Sequence, residues 1–364
     1  MKILFVVDWL DKFAGAERVV ASLVKEFPPD KVKTLVNIMS HDDLKKMFGE
    51  HQVEVESSGL QKMGRYFRYF FPFFYFFVKD LEEKRHYELI ISSSHAVAKG
   101  VKVPLGSLHI SYFQARNMKY IWEEGGVYFK SLKHFLSPIF WYLKKLDVRA
   151  AQNPNYIISN SKFVQEWVKK TYGRDSKLIY PPVNTEAFSL GSHKGQYFVT
   201  IGRLAPYKRF DIVIKAFNQL GYPLKVIGDG SQRKGLELMS ESNIEFLGYL
   251  ETSEINQCLQ DAKAFVYAGI EDFGIAPVEA QATGCPCICL DQAGTAETVI
   301  DGRTGILFKN QCAEELVAAV KMFLENESAF DYSEIQEHSG KFSEQRFLNE
   351  MKTYIDSRKR DIKK

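Results

Sequence analysis

The sequence predicts an α/β protein made of two doubly wound, Rossmann-like domains. Its 364 residues are enough for two domains of ordinary size. Near the start, the apolar run Ile3–Val7 predicts a buried strand, and residues 18–27 beyond a glycine turn have helical periodicity. The same order returns at 197–201, which is followed by a glycine loop and a helix from Asp211. A strand, a turn and a helix in this order typically open a doubly wound domain.

Further short runs of apolar and β-branched residues predict the other strands. In chain order they lie at 32–38, 53–55, 89–94, 155–159, 224–227, 243–250, 264–267 and 286–290. Between the two halves, residues 181–196 are polar and contain glycine, which predicts a linker. We therefore place the first domain at 1–180 and the second at 197–344.

Composition restricts the partners and the compartment. The formal net charge of +3 gives no sign of a nucleic-acid partner. Cys285, Cys287 and Cys289 alternate, which on a strand puts three thiols on one face and does not match a zinc pattern. Asp8 ends the first apolar run too early for a secretion signal, and no apolar run reaches ~18 residues, the length of a spanning helix. We expect a reduced, cytoplasmic protein.

The segment after residues 264–267 contains a candidate anion site. Gly274 precedes a helix that has Pro277 in its first turn and Gly284 as its C-cap. Free N–H groups and the helix dipole at such a start attract anions. Glu271 before the helix and Glu279 inside it could bind the hydroxyls of a sugar beside the phosphate. Two surface glutamates that contact only solvent would have the same spacing.

The loop after residues 197–201 contains a second candidate site. Gly202 is followed by Arg203 and, five positions later, by Lys208 at the carboxyl end of the predicted strand. Arginine offers a planar bidentate fork and lysine a mobile charge, which together suit a diphosphate; ordinary surface basic residues are the alternative. Gly228, in a Gly-Asp-Gly turn, would let a nucleotide approach the backbone.

The first half offers candidate residues near the carboxyl ends of its strands, where open α/β sheets bind ligands. His95 lies just past the strand predicted at 89–94, and Gln114 lies in the loop after a strand that includes residues 111–113. Gly15 and Glu17 occupy the turn before the first helix. A histidine packed at a helix start and an ordinary tight turn are the alternatives.

Two stretches mix aromatic and basic side chains. Ten of the twelve residues at 66–77 are aromatic with basic residues on both sides, and residues 128–149 alternate aromatic residues with lysines. Such mixtures suit the headgroup layer of an anionic membrane, so 62–79 and 128–149 would form a peripheral membrane surface. Alternatively, these helices bury their aromatic residues inside the domain.

The run Glu-Asp-Phe-Gly-Ile-Ala-Pro-Val-Glu at 271–279 resembles the E-x7-E signature of retaining glycosyltransferase family 4. Gly202 to Lys208 matches the G-R-x-x-x-x-K pattern of that family. Gly15 and Glu17 match its G-G-x-E-type loop, although an alanine stands in place of the first glycine. The resemblance covers essentially the whole chain and is most specific at 197–308.

This resemblance implies a GT-B fold, in which two Rossmann-like domains face a central cleft and a last helix, at 345–364, returns to the first domain. Arg203, Lys208 and Glu271 would be the catalytic residues, with the two basic residues neutralising the departing nucleoside diphosphate in place of a metal. No cofactor is therefore expected. The donor and acceptor substrates would also contact Glu279, Phe273, Gly274, Ile275, Gly202, Gly228, Tyr249, Leu250, Gly15, Glu17, His95 and Gln114.

Residues 92–100 and 111–123 are similar to a subgroup of bacterial GDP-mannose-dependent mannosyltransferases that build O-antigen and capsule chains. Relatives usually have a histidine where Gln114 stands, and a glutamine cannot take a proton. The implied function is transfer of α-mannose from GDP-mannose to a lipid-linked saccharide, at the inner face of the cytoplasmic membrane. A UDP-sugar donor is one alternative. A non-catalytic nucleotide-sugar-binding partner of another transferase at the membrane is the other.

Overall fold

The computed structural model describes residues 1–123, 137–191 and 195–362. The chain divides into two compact units, the first made of Met1–Pro182 with Phe347–Lys364 and the second of Val183–Arg346. In each unit a parallel sheet alternates along the chain with helices, which confirms the predicted α/β class with two Rossmann-like domains. The predicted linker at 181–196 is corrected, because Phe188 lies buried in the core of the second unit.

In the described part of the chain, the first sheet has seven parallel strands in the order β3-β2-β1-β4-β5-β6-β7. They are β1 (Ile3–Val7), β2 (Lys31–Thr34), β3 (Glu54–Ser57), β4 (Leu89–Ser94), β5 (Leu108–Phe113), β6 (Tyr156–Ser159) and β7 (Lys177–Leu178). The direction of winding changes between β1 and β4. In doubly wound sheets, ligands bind at the carboxyl ends of strands next to such a change.

The helices of this unit are α1 (Gly15–Glu26), α2 (His41–Phe48), α3 (Phe74–Phe77), α4 (Lys119–Trp122), α5 (Ser137–Ala150) and α6 (Lys162–Tyr172). Ser161 caps α6, and its hydroxyl accepts a hydrogen bond from the Val164 N–H at 3.0 Å. The aromatic stretch is mostly a 3-10 helix, Gly59–Phe73, which continues into α3. Gly64 and Phe70 have non-helical backbone angles, and Pro72 lacks an N–H, so a regular α-helix does not form here.

Across the described residues of the second unit, the sheet has six parallel strands in the order β10-β9-β8-β11-β12-β13. They are β8 (Phe198–Ile201), β9 (Leu224–Ile227), β10 (Ile244–Gly248), β11 (Ala264–Tyr267), β12 (Cys287–Leu290) and β13 (Gly305–Phe308). The later helices are α7 (Phe210–Leu220), α8 (Arg233–Met239), α9 (Thr252–Gln260), α10 (Ile275–Ala282), α11 (Ala293–Thr298), α12 (Ala313–Glu325), α13 (Tyr332–Ser339) and α14 (Glu344–Ile362). The strands β7 and β13 were not among those that the sequence predicts.

The central strands are apolar on both faces, as expected for a parallel sheet with helices on each side. All five residues of β1 and all four residues of β8, β11 and β12 are buried. Cys285, Cys287 and Cys289 are buried free thiols that belong to the apolar core of the second unit. They act there as small core residues.

The last helix, α14, packs on the first unit. Phe347, Met351 and Ile355 follow one another at a spacing of four residues and are buried in the core around β1, β4 and β5. The ring of Phe347 lies edge-on to Tyr112 of β5, with centroids 5.7 Å apart. Among the described residues, no helix has both the length and the apolar character needed to span a bilayer.

Candidate active site

A compact ionic cluster lies at the carboxyl ends of β8 and β11 in the second unit. The Lys208 ammonium, in the loop after β8, forms an ion pair with the carboxylate of Glu271, which follows β11. The hydroxyl of Tyr267, the last residue of β11, donates to the same carboxylate at 2.5 Å. Both charged side chains are about one-fifth exposed. The structure therefore brings two of the predicted catalytic residues into direct contact.

Tyr267 is a member of this cluster that the sequence analysis did not identify. Burial raises the pKa of its hydroxyl well above the ordinary value, and the neighbouring Glu271 carboxylate raises it further. The tyrosine therefore stays protonated at physiological pH and acts as a hydrogen-bond donor. The sequence could have indicated this residue, because it ends a buried strand and the carboxyl ends of parallel strands meet at one edge of the sheet.

Arg203 lies on the same loop as Lys208. Its guanidinium donates to the hydroxyl of Tyr207 at 3.1 Å. The Lys208 ammonium lies 5.8 Å from the centroid of the Tyr207 ring and 5.7 Å from that of Tyr267. Two aromatic rings thus flank the lysine, which suits a cation held in place by ring faces.

The predicted anion site is a helix start with a glycine cap. Helix α10 begins at Ile275 directly after Gly274, whose φ of +90° favours glycine. The N-cap residue Gly274 has no side chain that could cap this end, and the first N–H groups of a helix have no intrahelical partner. Pro277 lies in the first turn as predicted, and Glu279 is a half-buried residue of this helix. The start of α10 can therefore bind an anion through its backbone.

The chain comes unusually close to itself at the glycines after β8 and β9. Gly228 has φ of +125°, and a Cβ placed on it would lie 2.1 Å from the carbonyl oxygen of Gly202. Its N–H donates to the Gly248 carbonyl at 2.6 Å, which links the ends of β9 and β10, and the Gly202 N–H donates to the Ile227 carbonyl at 3.0 Å, which adds the end of β8. Next to this junction, Tyr249 is 76% exposed, while Leu250 packs on the core. These loops form an open edge with one large exposed ring.

The remaining predicted contact at the start of α10 is Phe273, which the structure places in the core. Its side chain is buried and its ring packs on Phe342 at 5.6 Å between centroids. Gly294 lies directly beside it, since an added Cβ would be 2.2 Å from the Phe273 Cα. Only the backbone of this residue can therefore meet a ligand. Gly284 follows the C-cap residue Thr283 and has φ of +70°.

In the first unit, His95 is held by a carboxylate that the sequence analysis did not identify. Asp8 directly follows β1, is fully buried, and accepts hydrogen bonds from the backbone N–H groups of residues 95–98 at 2.6–2.8 Å. The Nδ1 atom of His95 lies 3.4 Å from Asp8 Oδ2. Burial lowers the pKa of His95, and Asp8 opposes that effect. The imidazole is fixed in place and neutral at physiological pH.

Gln114 joins three elements at the same edge. Its side-chain nitrogen donates to Ser93 Oγ at 3.0 Å and to the Ala16 carbonyl at 3.4 Å. The side-chain nitrogen of Asn160 in turn donates to the backbone carbonyl of Gln114 at 2.6 Å. Gln114 thus connects the ends of β4, β5 and β6 with the start of α1.

Gly15 is the first residue of α1, and Glu17 turns back toward the start of that helix. The carboxylate of Glu17 accepts from the Ala14 N–H at 3.2 Å, and the side chain is buried. Burial raises the pKa of Glu17 to about 7; the backbone N–H groups of Glu17 and Ala14 oppose this, and Asp11 adds to it. Glu17 is therefore a buried capping residue as well as a predicted ligand contact.

Each unit thus collects its own predicted site residues at one sheet edge. The edge of the second unit holds Arg203, Lys208, Glu271 and the start of α10; the edge of the first unit holds Gly15, Glu17, His95 and Gln114. Among the described residues, no group of three His, Cys, Asp or Glu side chains is arranged to hold a metal ion.

Comparison with known proteins identifies the family. The family model for glycosyl transferases group 1 matches residues 157–345, which is more than half of the chain. The O-antigen chain mannosyltransferase RfbU of Salmonella typhimurium is 27% identical over 175 residues, 45% of this chain and 49% of that protein. The D-rhamnosyltransferase WbpZ of Pseudomonas aeruginosa is 28% identical over 180 residues, 46% of this chain and 47% of that protein. The chain spans about half the length of these relatives.

Two solved structures cover nearly the whole chain. Anabaena Alr3699/HepE in complex with UDP has a TM-score of 0.73 and 19% identity, over 98% of this chain and 100% of that chain. The lipopolysaccharide outer core galactosyltransferase WaaB has a TM-score of 0.66 and 17% identity, over 98% of this chain and 100% of that chain. At these identities the likeness shows the fold, which is GT-B. Together with the family match, it establishes that the chain belongs to the glycosyl transferases group 1.

Proposed function

We propose that this protein is a retaining glycosyltransferase of family 4. It transfers an α-mannosyl group from GDP-mannose to a lipid-linked saccharide during synthesis of a surface polysaccharide. The observation that supports this most is the ion pair between Lys208 and Glu271 beside the glycine-capped start of α10. The similarity to RfbU supports mannose and a polysaccharide acceptor.

In this proposal the donor diphosphate binds between Arg203, Lys208 and the first N–H groups of α10. The carboxylate of Glu279 holds the ribose hydroxyls, and Glu271 holds hydroxyls of the sugar. Before the donor binds, Glu271 keeps the lysine ammonium in place. Negative charge grows on the leaving phosphate in the transition state, so cations at that position lower the barrier more than they strengthen ground-state binding. The reaction needs no metal and no cofactor in this scheme.

Retention of configuration follows from attack on the face that the phosphate leaves. The acceptor oxygen bonds to the anomeric carbon while the bond from that carbon to the phosphate oxygen breaks. The proton of the acceptor hydroxyl passes to the departing phosphate oxygen. Glu271 is a poor nucleophile in this scheme, because Lys208 and Tyr267 already bind its carboxylate. No protein base is required at Gln114.

The proposed location is the inner face of the cytoplasmic membrane, with peripheral attachment through residues 62–79 and 128–149. A lipid-linked acceptor is anchored in the bilayer, so an enzyme that binds the same surface meets it at high effective concentration. Residues 128–136 of the second stretch lie outside the described residues.

Donor identity is tested by thermal unfolding in the presence of GDP, UDP, ADP, GDP-mannose and UDP-glucose. A ligand at ~100 times its Kd adds about 2.7 kcal/mol to the stability of the folded protein. We expect GDP and GDP-mannose to raise the unfolding temperature and the uridine compounds to leave it unchanged. The absence of any shift would refute the nucleotide-sugar proposal.

Catalysis is tested with Lys208→Ala and with Lys321→Ala as a matched control on an exposed face of α12. Slow hydrolysis of GDP-mannose can be followed by NMR, which also shows whether α- or β-mannose forms first. We expect α-mannose from the wild-type protein and the control, and loss of at least about a hundredfold in rate for Lys208→Ala. First formation of β-mannose would contradict a retaining mechanism.

Two alternatives have specific support. A UDP-sugar donor is favoured by the solved HepE structures, which contain UDP and UDP-glucose. It predicts a shift with uridine compounds in the thermal experiment. A non-catalytic nucleotide-sugar-binding partner at the membrane is favoured by Gln114, which cannot act as a base. It predicts nucleotide binding with no hydrolysis or transfer, and equal behaviour of the Lys208 variant and the wild type in turnover.

A further inference from the structure

The aromatic stretch of the first unit divides into buried and exposed rings. Phe67 and Phe74 are fully buried in the apolar core beneath it. On the outside, the exposed fractions are 64% for Tyr66, 81% for Tyr69, 59% for Phe73 and 67% for Phe76. Some rings of this stretch therefore form the core, and others form an exposed apolar patch of the kind that marks an interaction surface.

Helix α5 contributes a second group of exposed rings next to the first. Trp141 and Tyr142 are more than half exposed, whereas Phe140 is buried. Phe140 packs on Phe71 of the aromatic stretch, with ring centroids 6.5 Å apart. The two segments are therefore neighbours in one unit. We call the exposed side chains of residues 62–79 and 137–150 together the aromatic face.

A buried carboxylate holds the two segments together. Asp147 of α5 accepts a hydrogen bond from the Tyr75 hydroxyl at 2.5 Å and pairs with the Lys99 ammonium at 2.7 Å, with both charged side chains fully buried. Trp122 Nε1 and the Tyr172 hydroxyl also donate to it, each at 2.6 Å. Four donors from separate parts of the chain converge on this one carboxylate. The carboxylate therefore holds α5 firmly against the aromatic stretch.

The charge of the aromatic face is strongly positive. Residues 62–79 contain four basic residues and no acidic one. Residues 137–150 contain three basic residues, and the acidic one, Asp147, is buried and paired. The Lys145 ammonium lies 3.6 Å from the centroid of the exposed Trp141 ring. Exposed aromatic rings among basic side chains fit the anionic headgroup layer of a membrane.

The aromatic face is continuous with the edge of the first unit that contains His95. The guanidinium of Arg68 pairs with Asp11 at 2.7 Å, in the loop between β1 and α1, and lies 5.6 Å from the centroid of the Trp9 ring. The Trp9 ring packs on Phe67 with centroids 5.4 Å apart and contacts the edge of His95 at 4.3 Å. One layer of side chains thus separates the surface from His95, a predicted substrate contact.

We propose that the aromatic face docks on an anionic phospholipid bilayer and sets the edge that contains His95 beside the membrane surface. The docking itself stands on the exposure, charge and packing of the face. Only the delivery of a lipid-linked acceptor to that edge rests on the proposed function.

Vesicle co-sedimentation of the full chain tests the docking without nucleotide or acceptor. One set of vesicles contains equal parts of phosphatidylcholine and phosphatidylglycerol, and the other only phosphatidylcholine. We expect binding to the first set, little binding to the second, and weaker binding at high salt, since the Debye length falls from ~10 Å at 0.1 M to ~3 Å at 1 M. Equal binding to both sets, or none to anionic vesicles, would overturn the proposal.

Two triple variants separate the contributions of charge and of the rings. Removal of the three basic residues in K62Q/R65Q/K79Q should weaken binding by about fivefold per charge, or on the order of a hundredfold in total. The ring variant Y69S/F73S/F76S should weaken it by about tenfold or more, including at high salt. Leu105→Ser is the matched control, because Leu105 is fully exposed on another loop of the same unit. If the control loses as much binding as the ring variant, the aromatic face is not the docking surface.

The outcome is independent of the transfer reaction. An unfolding temperature close to that of the wild type, measured without nucleotide, shows that each triple variant is folded. Vesicle binding with no nucleotide binding would refute the proposed function and leave the docking intact. Nucleotide binding with no vesicle binding would refute the docking and leave the proposed transfer reaction intact. Capture of an acidic protein in place of vesicles would assign the face to a protein partner and refute the lipid proposal.

Discussion

Replacement of Glu17 by glutamine should make the first unit more stable at alkaline pH. The pKa of Glu17 rises from 4.5 to about 7 on folding, chiefly because its carboxylate is buried. The folded state therefore binds this proton more tightly than the unfolded state. Its contribution to stability is complete below pH 4.5 and is lost as the pH rises through about 7. A glutamine has the same shape, still accepts from the Ala14 N–H, and does not titrate.

The size of the effect follows from the linkage between proton binding and folding. At about 1.36 kcal/mol per pH unit, the rise in pKa is worth about 3.4 kcal/mol in total. Between pH 5 and pH 8.5 the wild-type protein should lose about 2.5 kcal/mol relative to Glu17→Gln. Other titrating groups are common to both proteins and cancel in the difference.

Tryptophan fluorescence during urea unfolding is a suitable assay, because all four tryptophans lie in the first unit: Trp9, Trp122, Trp141 and Trp167. The free energy of unfolding would be measured at several pH values for the wild type, Glu17→Gln and the control Glu50→Gln. Glu50 is 95% exposed, so its replacement should leave the pH dependence unchanged. If the curves of wild type and Glu17→Gln run parallel from pH 5 to pH 8.5, the burial argument for Glu17 is wrong.

Three further predictions concern packing and the site. Gly228→Ala should destabilise the second unit by about 3 kcal/mol or more, because the new Cβ overlaps a backbone oxygen. The control Gly302→Ala also has a positive φ but open space around it, so it should cost only about 1 kcal/mol. Both free energies would be measured by urea unfolding followed by circular dichroism. Asp147→Asn should lower the stability of the first unit by about 3–5 kcal/mol in the tryptophan assay, because Lys99 would remain buried without its counter-ion. Adding Lys99→Met to this variant should restore part of the lost stability. Tyr267→Phe removes the hydroxyl that orients the site carboxylate, and we expect the rate of donor hydrolysis to fall by about tenfold with nucleotide affinity unchanged.

The sequence predicted most strands within two residues, because buried parallel strands are continuous apolar runs. It missed β7, which has only two residues, and β13, whose four residues follow a turn and contain a glycine. It also placed 183–191 in a linker. A polar, glycine-containing segment matches a linker in composition, and only the packing of Phe188 on the second core shows otherwise. Composition alone does not distinguish a solvated segment from one that is anchored by a single ring.

The buried carboxylates were harder to foresee. Asp8 follows a strand, but the four N–H groups that donate hydrogen bonds to its carboxylate lie 87 to 90 residues later in the chain. Asp147 has the pattern of an ordinary charged residue on a helix, and its partner Lys99 is distant in sequence. Local periodicity describes contacts within a helix or strand; it does not describe which distant groups meet in the folded core. The contact between Lys208 and Glu271 was easier to foresee, because β8 and β11 are neighbouring parallel strands and the loops after them lie at the same edge of the sheet.

The geometry at Gln114 restricts where the acceptor proton can go. Its side-chain nitrogen donates to Ser93 and to the Ala16 carbonyl, so this residue holds the edge together. An amide in this place cannot accept a proton at neutral pH. If the protein transfers a glycosyl group, the proton must pass either to the leaving phosphate or to another base. His95 is the candidate base in the first unit, since its lowered pKa keeps the ring neutral and Asp8 lies beside its Nδ1 atom. The proposed phosphate route needs neither residue as a base, so it is compatible with a glutamine at position 114.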